Sequence, residues 1–211
     1  MRRFGIWIVL AGCSSGASHD TPDAADGMPL GPGMFVSWAA DPVLPGPLSD
    51  KITVTDVTFE VSQFQVVGDG GADARTSHSG YELAWTTGAA PRQERFPDAP
   101  VGVYSKMYLA VKGTRDVPTA YLIHGTWRDQ GKTTPFLIED FSKLTVEIDC
   151  NKSLAAGATT AFPIRVDLRN AITGVDFSRL DLEDGVLELH GGPELDRFRD
   201  NLQHGAFRVD N

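Results

Sequence analysis

The stretch ITVTDVTFEVSQFQVV, from Ile52 to Val67, carries apolar residues at alternate positions but changes phase twice. Ile52 and Val54 share one face, Val57, Phe59 and Val61 hold the opposite parity, and Phe64 and Val66 return to the first. Successive side chains of a β-strand point to opposite sides of the sheet, so an alternating pattern marks a strand with one buried face. A slip of one residue would turn the apolar set toward water, and a chain tolerates it only through a bulge or a break. The segment is therefore either one long bent strand or two short ones.

Outward from this stretch, Gly and Pro punctuate further short runs that alternate or carry β-branched and aromatic residues, the pattern of strands in a sandwich or barrel. Strands are predicted over Met34 to Ala39, Tyr81 to Thr86, Val103 to Lys112, Ala120 to Arg128, Phe136 to Ile138, Leu144 to Cys150 and Thr160 to Leu168. Gly68 to Gly80 reads as a polar loop joining two strands. In LDLEDGVLEL, Asp184-Gly185 reads as a turn between two short apolar segments. Asp181, Glu183 and Asp184 lack the alternate-position spacing and closing Glu of a calcium loop, and Asp69 and Asp73 do not reproduce one either. Near the C-terminus, Pro193 suits a first helical position, Glu194 and Asp196 favour the positive helix end, and Leu195, Phe198 and Leu202 recur at helical spacing. Gly205 can close that helix, and Phe207 and Val209 extend its apolar contact. The expected fold is mainly β: an antiparallel β-sandwich over 34–211 with a short C-terminal helix from about residue 193.

The 211 residues have room for one such domain. The formal charge is −9, and it becomes more acidic if Arg2 and Arg3 are removed with a leader. Such a chain repels phosphate backbones, so a nucleic-acid partner is disfavoured.

Arg2 and Arg3 precede the short apolar run Phe4 to Leu10, and Ala11 and Gly12 are small enough for a signal-peptidase pocket. This arrangement reads as an export signal over residues 1–12. The run is too short to span a bilayer, which takes about 20 apolar residues, and no later stretch qualifies. Residues 13–33, rich in Gly, Pro, Ala, Asp and Ser, read as a flexible tether. With Cys13 at its head, the only other cysteine is Cys150, which closes the alternating run LTVEIDC and is expected to be a partly buried free thiol.

The five histidines, His19, His78, His124, His190 and His204, form no metal spacing with each other or with cysteine. In YLIHGTW the parity sets His124 opposite Tyr121 and Ile123, on the solvent face. There is no G-x-S-x-G elbow, P-loop or dinucleotide fingerprint. Catalysis would have to come from carboxylates gathered in space, with Glu139 and Asp140, or Glu147 and Asp149, as the acidic pairs available. No cofactor or metal site is expected. Tyr104, entering a strand just after Gly102, suits a tyrosine corner, with its ring in the core and its hydroxyl on a nearby backbone carbonyl.

Two resemblances add to this reading. Leu10-Ala11-Gly12-Cys13 resembles the lipobox of bacterial lipoproteins, which implies a diacylglycerol on the Cys13 sulfur and a mature chain beginning there. Ser14 in the next position implies, by the sorting rule of such proteins in Gram-negative bacteria, the outer membrane. From Ile52 onward, ITVTDVTFEVSQFQVVGD, YELAW, FPDAPVGVYSKMYLAVKG and LTVEIDCNKSLAAGATTAFPIRVDL resemble bacterial lipoprotein domains with a prealbumin-like or immunoglobulin-like sandwich. Pro100, Gly102 and Tyr104 resemble one of their turns, with Val101 as an extra residue, and Ala156, Gly157 and Thr160 resemble another. A related copper-associated group shares the early strands, but its Asn-His motif is missing here. No functional residues are assigned in such domains, so none is carried over. The resemblance implies a non-catalytic binding or structural module of the cell envelope, periplasmic or surface-facing, with the membrane as one partner and an envelope protein or glycan as another. The alternative is a carboxylate-based hydrolase or a metal-binding envelope protein.

Overall fold

Both phase slips in the Ile52–Val67 stretch are β-bulges inside one strand of 17 residues, Ile52–Gly68. The computed structural model describes residues 31–69, 75–78, 80–86 and 93–210; the expectations for residues 1–30, Cys13 among them, and for Asp73 lie outside these. In chain order the strands are β1 (Gly33–Asp41), β2 (Gly46–Pro47), β3 (Ile52–Gly68), β4 (Arg75–His78), β5 (Tyr81–Trp85), β6 (Glu94–Phe96) and β7 (Gly102–Val111). Then come β8 (Tyr121–Asp129), β9 (Lys132–Asp140), β10 (Leu144–Leu154), β11 (Thr159–Asp167), β12 (Asp181–Glu183), β13 (Val186–Leu189) and β14 (Phe207–Val209). Two helices, α1 (Leu168–Ala171) and α2 (Gly192–Asn201), a 3₁₀ turn at Phe177–Arg179 and a π turn at Leu202–Ala206 complete the described elements.

In β3 the ladder to β8 shifts between Val54 and Asp56, and the ladder to β7 shifts between Val61 and Gln63. Each bulge takes up one extra residue, Thr55 and Ser62. Val54, Val57, Phe59, Val61, Phe64 and Val66 are consequently all buried, at 2% exposure or less. Without the bulges, alternation would send Val57, Phe59 and Val61 to the face opposite Val54 and Phe64.

The neighbours of β3 lie end to end. Glu60 donates its N–H to the Ala120 carbonyl and accepts from the Lys112 N–H, both at 2.8 Å. One residue's N–H and C=O point to the same strand edge, so β7 and β8 occupy a single edge of β3 in succession. Beyond them, β10 pairs with β7 and β9 with β8. The segment Gly102–Leu154 is thus one long hairpin, broken in one arm at 112–120 and in the other at 141–143. The opposite edge of β3 carries β2, β5 and β4, and β13 and β12 extend the sheet past β9.

A second sheet in the order β14-β11-β1-β6 covers the first. The layers meet through aromatic contacts: Trp38 on Phe64 with ring centroids 5.2 Å apart, Phe59 on Phe207 at 5.6 Å, and Tyr104 on Phe162 at 6.3 Å. The fold is therefore mainly β and sandwich-like, but its sheets are mixed rather than antiparallel throughout. β1 runs parallel to β11 over nine residue pairs, Gly33↔Thr159 to Asp41↔Asp167, and β13 runs parallel to β9. Parallel neighbours need a long crossover; here almost the whole larger sheet separates β1 from β11. Local alternation and turn residues report hairpins and carry no sign of such distant pairing.

Smaller departures have local causes. β9 starts at Lys132, earlier than expected, because Lys132-Thr133-Thr134-Pro135 offers no apolar alternation. The expected loop contains β4. Leu168 opens α1 instead of ending a strand, since the Asp167 side chain caps the Asn170 N–H. The hairpin at Asp184-Gly185 is as expected, with φ of 48° and 88°, and Gln130-Gly131 turns β8 into β9 in the same way, with φ of 48° and 82°. Both are the left-handed pairs of a tight hairpin, which favour glycine at the second position.

The C-terminal helix docks as its spacing implies. Leu195, Phe198 and Leu202 are buried, at 1, 0 and 0% exposure, and the Phe198 ring lies 5.7 Å from that of Tyr121. After Asn201 the helix widens into a π turn, Leu202–Ala206, and Phe207 then enters β14 against β11. Phe198→Ala should lower stability by about 3 to 5 kcal/mol, as for a core aromatic, while Asp200→Ala on the exposed side should change it by less than about 0.5 kcal/mol. Denaturant midpoints of the two variants measure this.

Candidate functional site

Strand parity separates Glu139 from Asp140, and one acid of each available pair is taken up by a cation: Asp140 by Arg199 and Glu147 by Lys106. Asp140, 2% exposed, stands where β9 breaks before β10. Its Oδ2 accepts from Arg199 Nε at 2.6 Å and from the Tyr121 hydroxyl at 2.9 Å, and its Oδ1 accepts from Arg199 Nη2 at 2.6 Å and the Ser142 N–H at 2.8 Å. Burial pushes this carboxyl upward, but the hydrogen bonds from Arg199, Ser142 and Tyr121, with the Arg199 charge, hold it below the ordinary carboxylate range. Burial, reinforced by the Asp140 charge, pushes the Tyr121 hydroxyl up, and the hydrogen bond to Asp140 raises Arg199. With four donors on two oxygens, the carboxylate has no open lone pair for a substrate, and its place is structural: it clamps α2 onto the broken hairpin.

Glu139 lies on the other face of β9, half-buried. Glu147 and Asp149 share the outer face of β10, where Glu147 accepts from Lys106 across the ladder and raises the lysine's pKa through that bond. His204 and Arg208 line an open cleft of about 610 Å³ together with the same two acids. Among the described residues no three His, Cys, Asp or Glu side chains gather to hold a metal. Among carboxylate pairs that the sequence reading did not name, Glu60 stands opposite Glu82 on β3 and β5; burial first and the Glu82 charge second raise the Glu60 pKa.

Other singled-out residues sit as expected. His124 is exposed on the outer face of β8. Tyr104 is fully buried, and its hydroxyl donates to the Pro100 carbonyl at 2.5 Å, a tyrosine corner. Cys150 is 9% exposed with its Sγ 3.4 Å from the Tyr104 carbonyl, and burial, ahead of the nearby Asp149 and Asp69, pushes its thiol up to about 11. It lies at the β10 bulge between Asp149 and Lys152, inside a longer strand.

The sequence reading did not name a further feature, at the tip of the β8–β9 hairpin. Trp127 belongs to the inward parity of β8 but lies at the open end of the sheet, where it is only half-buried. Two clefts of about 370 and 340 Å³ flank it and share Trp127 and Asp129 as walls. One is completed by Gln130, Lys132, Thr134, Leu182 and Leu187. The other is completed by Ser49, Lys51, Ile52 and the Val175–Ser178 segment, which Phe177 fastens to Phe136 with ring centroids 4.9 Å apart. Lys51 Nζ reaches Asp129 Oδ1 at 3.2 Å, and Asp176, accepting from the Ser178 hydroxyl and N–H, is held below its ordinary range. The rim offers donors and acceptors around an aromatic surface. The sequence signal was a tryptophan three residues before a tight hairpin turn, in TWRDQGK.

Comparison of the chain with protein-family models, with curated proteins and with solved structures finds no match.

Because Asp140 is held low in the folded state, its stabilising contribution is present above the unfolded carboxyl range and is lost as pH falls through the folded value. Arg199→Ala, which strands the buried carboxylate, should cost about 3 to 5 kcal/mol, and Asp140→Asn should flatten the acid limb of the stability curve. Denaturant midpoints across a pH series test both; a wild-type acid limb retained in Asp140→Asn contradicts the assignment.

Proposed function

We propose that this chain is an exported, lipid-anchored module of the bacterial cell envelope that binds a partner without catalysing a reaction. The observation that carries the reading is the Leu10-Ala11-Gly12-Cys13 box behind a basic and apolar leader. Two or three acyl chains, at about 0.8 kcal/mol per buried methylene, would hold a soluble domain on a membrane where one chain does not. The acidic, Gly- and Pro-rich segment that follows would let the domain stand off from the surface.

The likeness to prealbumin-like and immunoglobulin-like lipoprotein sandwiches is supported by the two turns on which it rests. Pro100 and Tyr104 are joined by the tyrosine-corner bond, and Gly157, with φ of 71°, turns β10 into β11. Binding is supported by the clefts of mixed polar and apolar lining at Trp127 and by the absorption of Asp140 and Arg199 into structure. Outer-membrane placement follows from Ser14 if the source is Gram-negative.

Labelled palmitate should enter the wild-type protein and not Cys13→Ala, and the variant should leave the membrane fraction. Label in Cys13→Ala would refute the anchor.

A further inference from the structure

We infer that the paired clefts astride Trp127 form a binding site for a neutral oligosaccharide. This inference rests on the binding-module reading and names the ligand class for it.

The half-buried Trp127 side chain, packed on one side against the core, walls both depressions, so a chain of sugar rings that fills both meets it. Each depression has the volume of a small-ligand site, about 300 to 1,000 Å³, and each sets apolar walls, Leu182 and Leu187 on one side and Ile52, Val175 and Phe177 on the other, among hydroxyl, amide and charged groups. A sugar ring has the complementary surface: a face of C–H groups for the aromatic plane and hydroxyls that both donate and accept. Gln130 and Thr134 on one side, and Ser49 and Ser178 on the other, supply both kinds of group.

Charge argues for a neutral ligand. Lys51 and Lys132 face Asp129 and Asp176 around the rim, and the Lys51–Asp129 pair at 3.2 Å already neutralises one of each. Such a rim attracts neither an anion nor a cation strongly, and the net charge of the whole chain repels polyanions. The site is also preformed. The Gln130-Gly131 turn is a tight hairpin, the Arg128 N–H is fixed to the Lys51 carbonyl at 2.7 Å, and Phe177 packs on Phe136 beneath. Little ordering would therefore accompany binding.

The test is calorimetric titration of the purified full-length chain with maltohexaose, cellohexaose, xylohexaose and chitohexaose, with polygalacturonate as the anionic comparison. Saturable binding of at least one neutral oligomer is expected. It should weaken by about tenfold or more in Trp127→Ala, as expected on losing an aromatic platform, weaken less in Trp127→Phe, and stay unchanged in His124→Ala on the outer face. If Trp127→Ala does not unfold cooperatively, Gln130→Ala on the exposed turn reads the same site and should weaken binding severalfold. No binding of any neutral oligomer, full affinity in the Trp127 or Gln130 variant, or preference for polygalacturonate overturns the inference. Palmitate incorporation reads the anchor separately: a labelled chain that ignores every sugar overturns the Trp127 site alone, and a chain that binds sugar without label supports that site while removing the anchor.

Discussion

The fold depends on β3 presenting one apolar face along its whole length to a core built from both sheets. Six buried side chains from Val54 to Val66 share that face only because Thr55 and Ser62 are taken up as bulges. The second bulge falls where the flanking hairpin changes from β8 to β7, so the strand bends where its neighbour is interrupted. Bulges bend a strand and increase its local twist. Here they let a single strand pair with β8 over one half and with β7 over the other while Phe59 and Phe64 reach Phe207 and Trp38 of the opposing sheet.

The interruption in the hairpin leaves a joint in the sheet, and the C-terminal helix closes it. Asp140 at the end of β9 receives a two-point contact from Arg199, while Phe198, one residue earlier on α2, packs on Tyr121 at the start of β8. A buried carboxylate is costly without such a partner, so the joint and the helix stabilise each other. The far end of the same hairpin, at Trp127 and the Gln130-Gly131 turn, carries no such plug, and there the sheet stays open to solvent with an aromatic residue at its mouth. The same hairpin is thus sealed at its central break and open at its tip.

Local patterns made much of this legible. The two phase slips of Ile52–Val67, the Asp184-Gly185 turn, the Tyr104 corner, the buried Cys150 and the Leu195-Phe198-Leu202 stripe each depend on residues close in sequence, and each stands in the structure as the residues imply. What local pattern does not encode is pairing across the chain. The parallel β1–β11 ladder joins segments more than a hundred residues apart, and Asp140 meets Arg199 across 59 residues, so one was expected to be antiparallel and the other read as half of a free acidic pair. Trp127 was legible only as a strand residue, because its exposure is set by where the sheet ends and not by parity. Cys13 is a matter of sequence alone.

The most direct test of the β3 account is to compare single-residue deletions in that strand by denaturant unfolding. Removing Ser62 leaves Phe59, Val61, Phe64 and Val66 in unbroken alternation, whereas removing Thr58 from the regular stretch turns the Val54 and Val57 side of the cut to the opposite face. The account predicts a cooperative transition for the Ser62 deletion and its loss for the Thr58 deletion. A cooperatively folded Thr58 deletion, or equal loss in both, would contradict it.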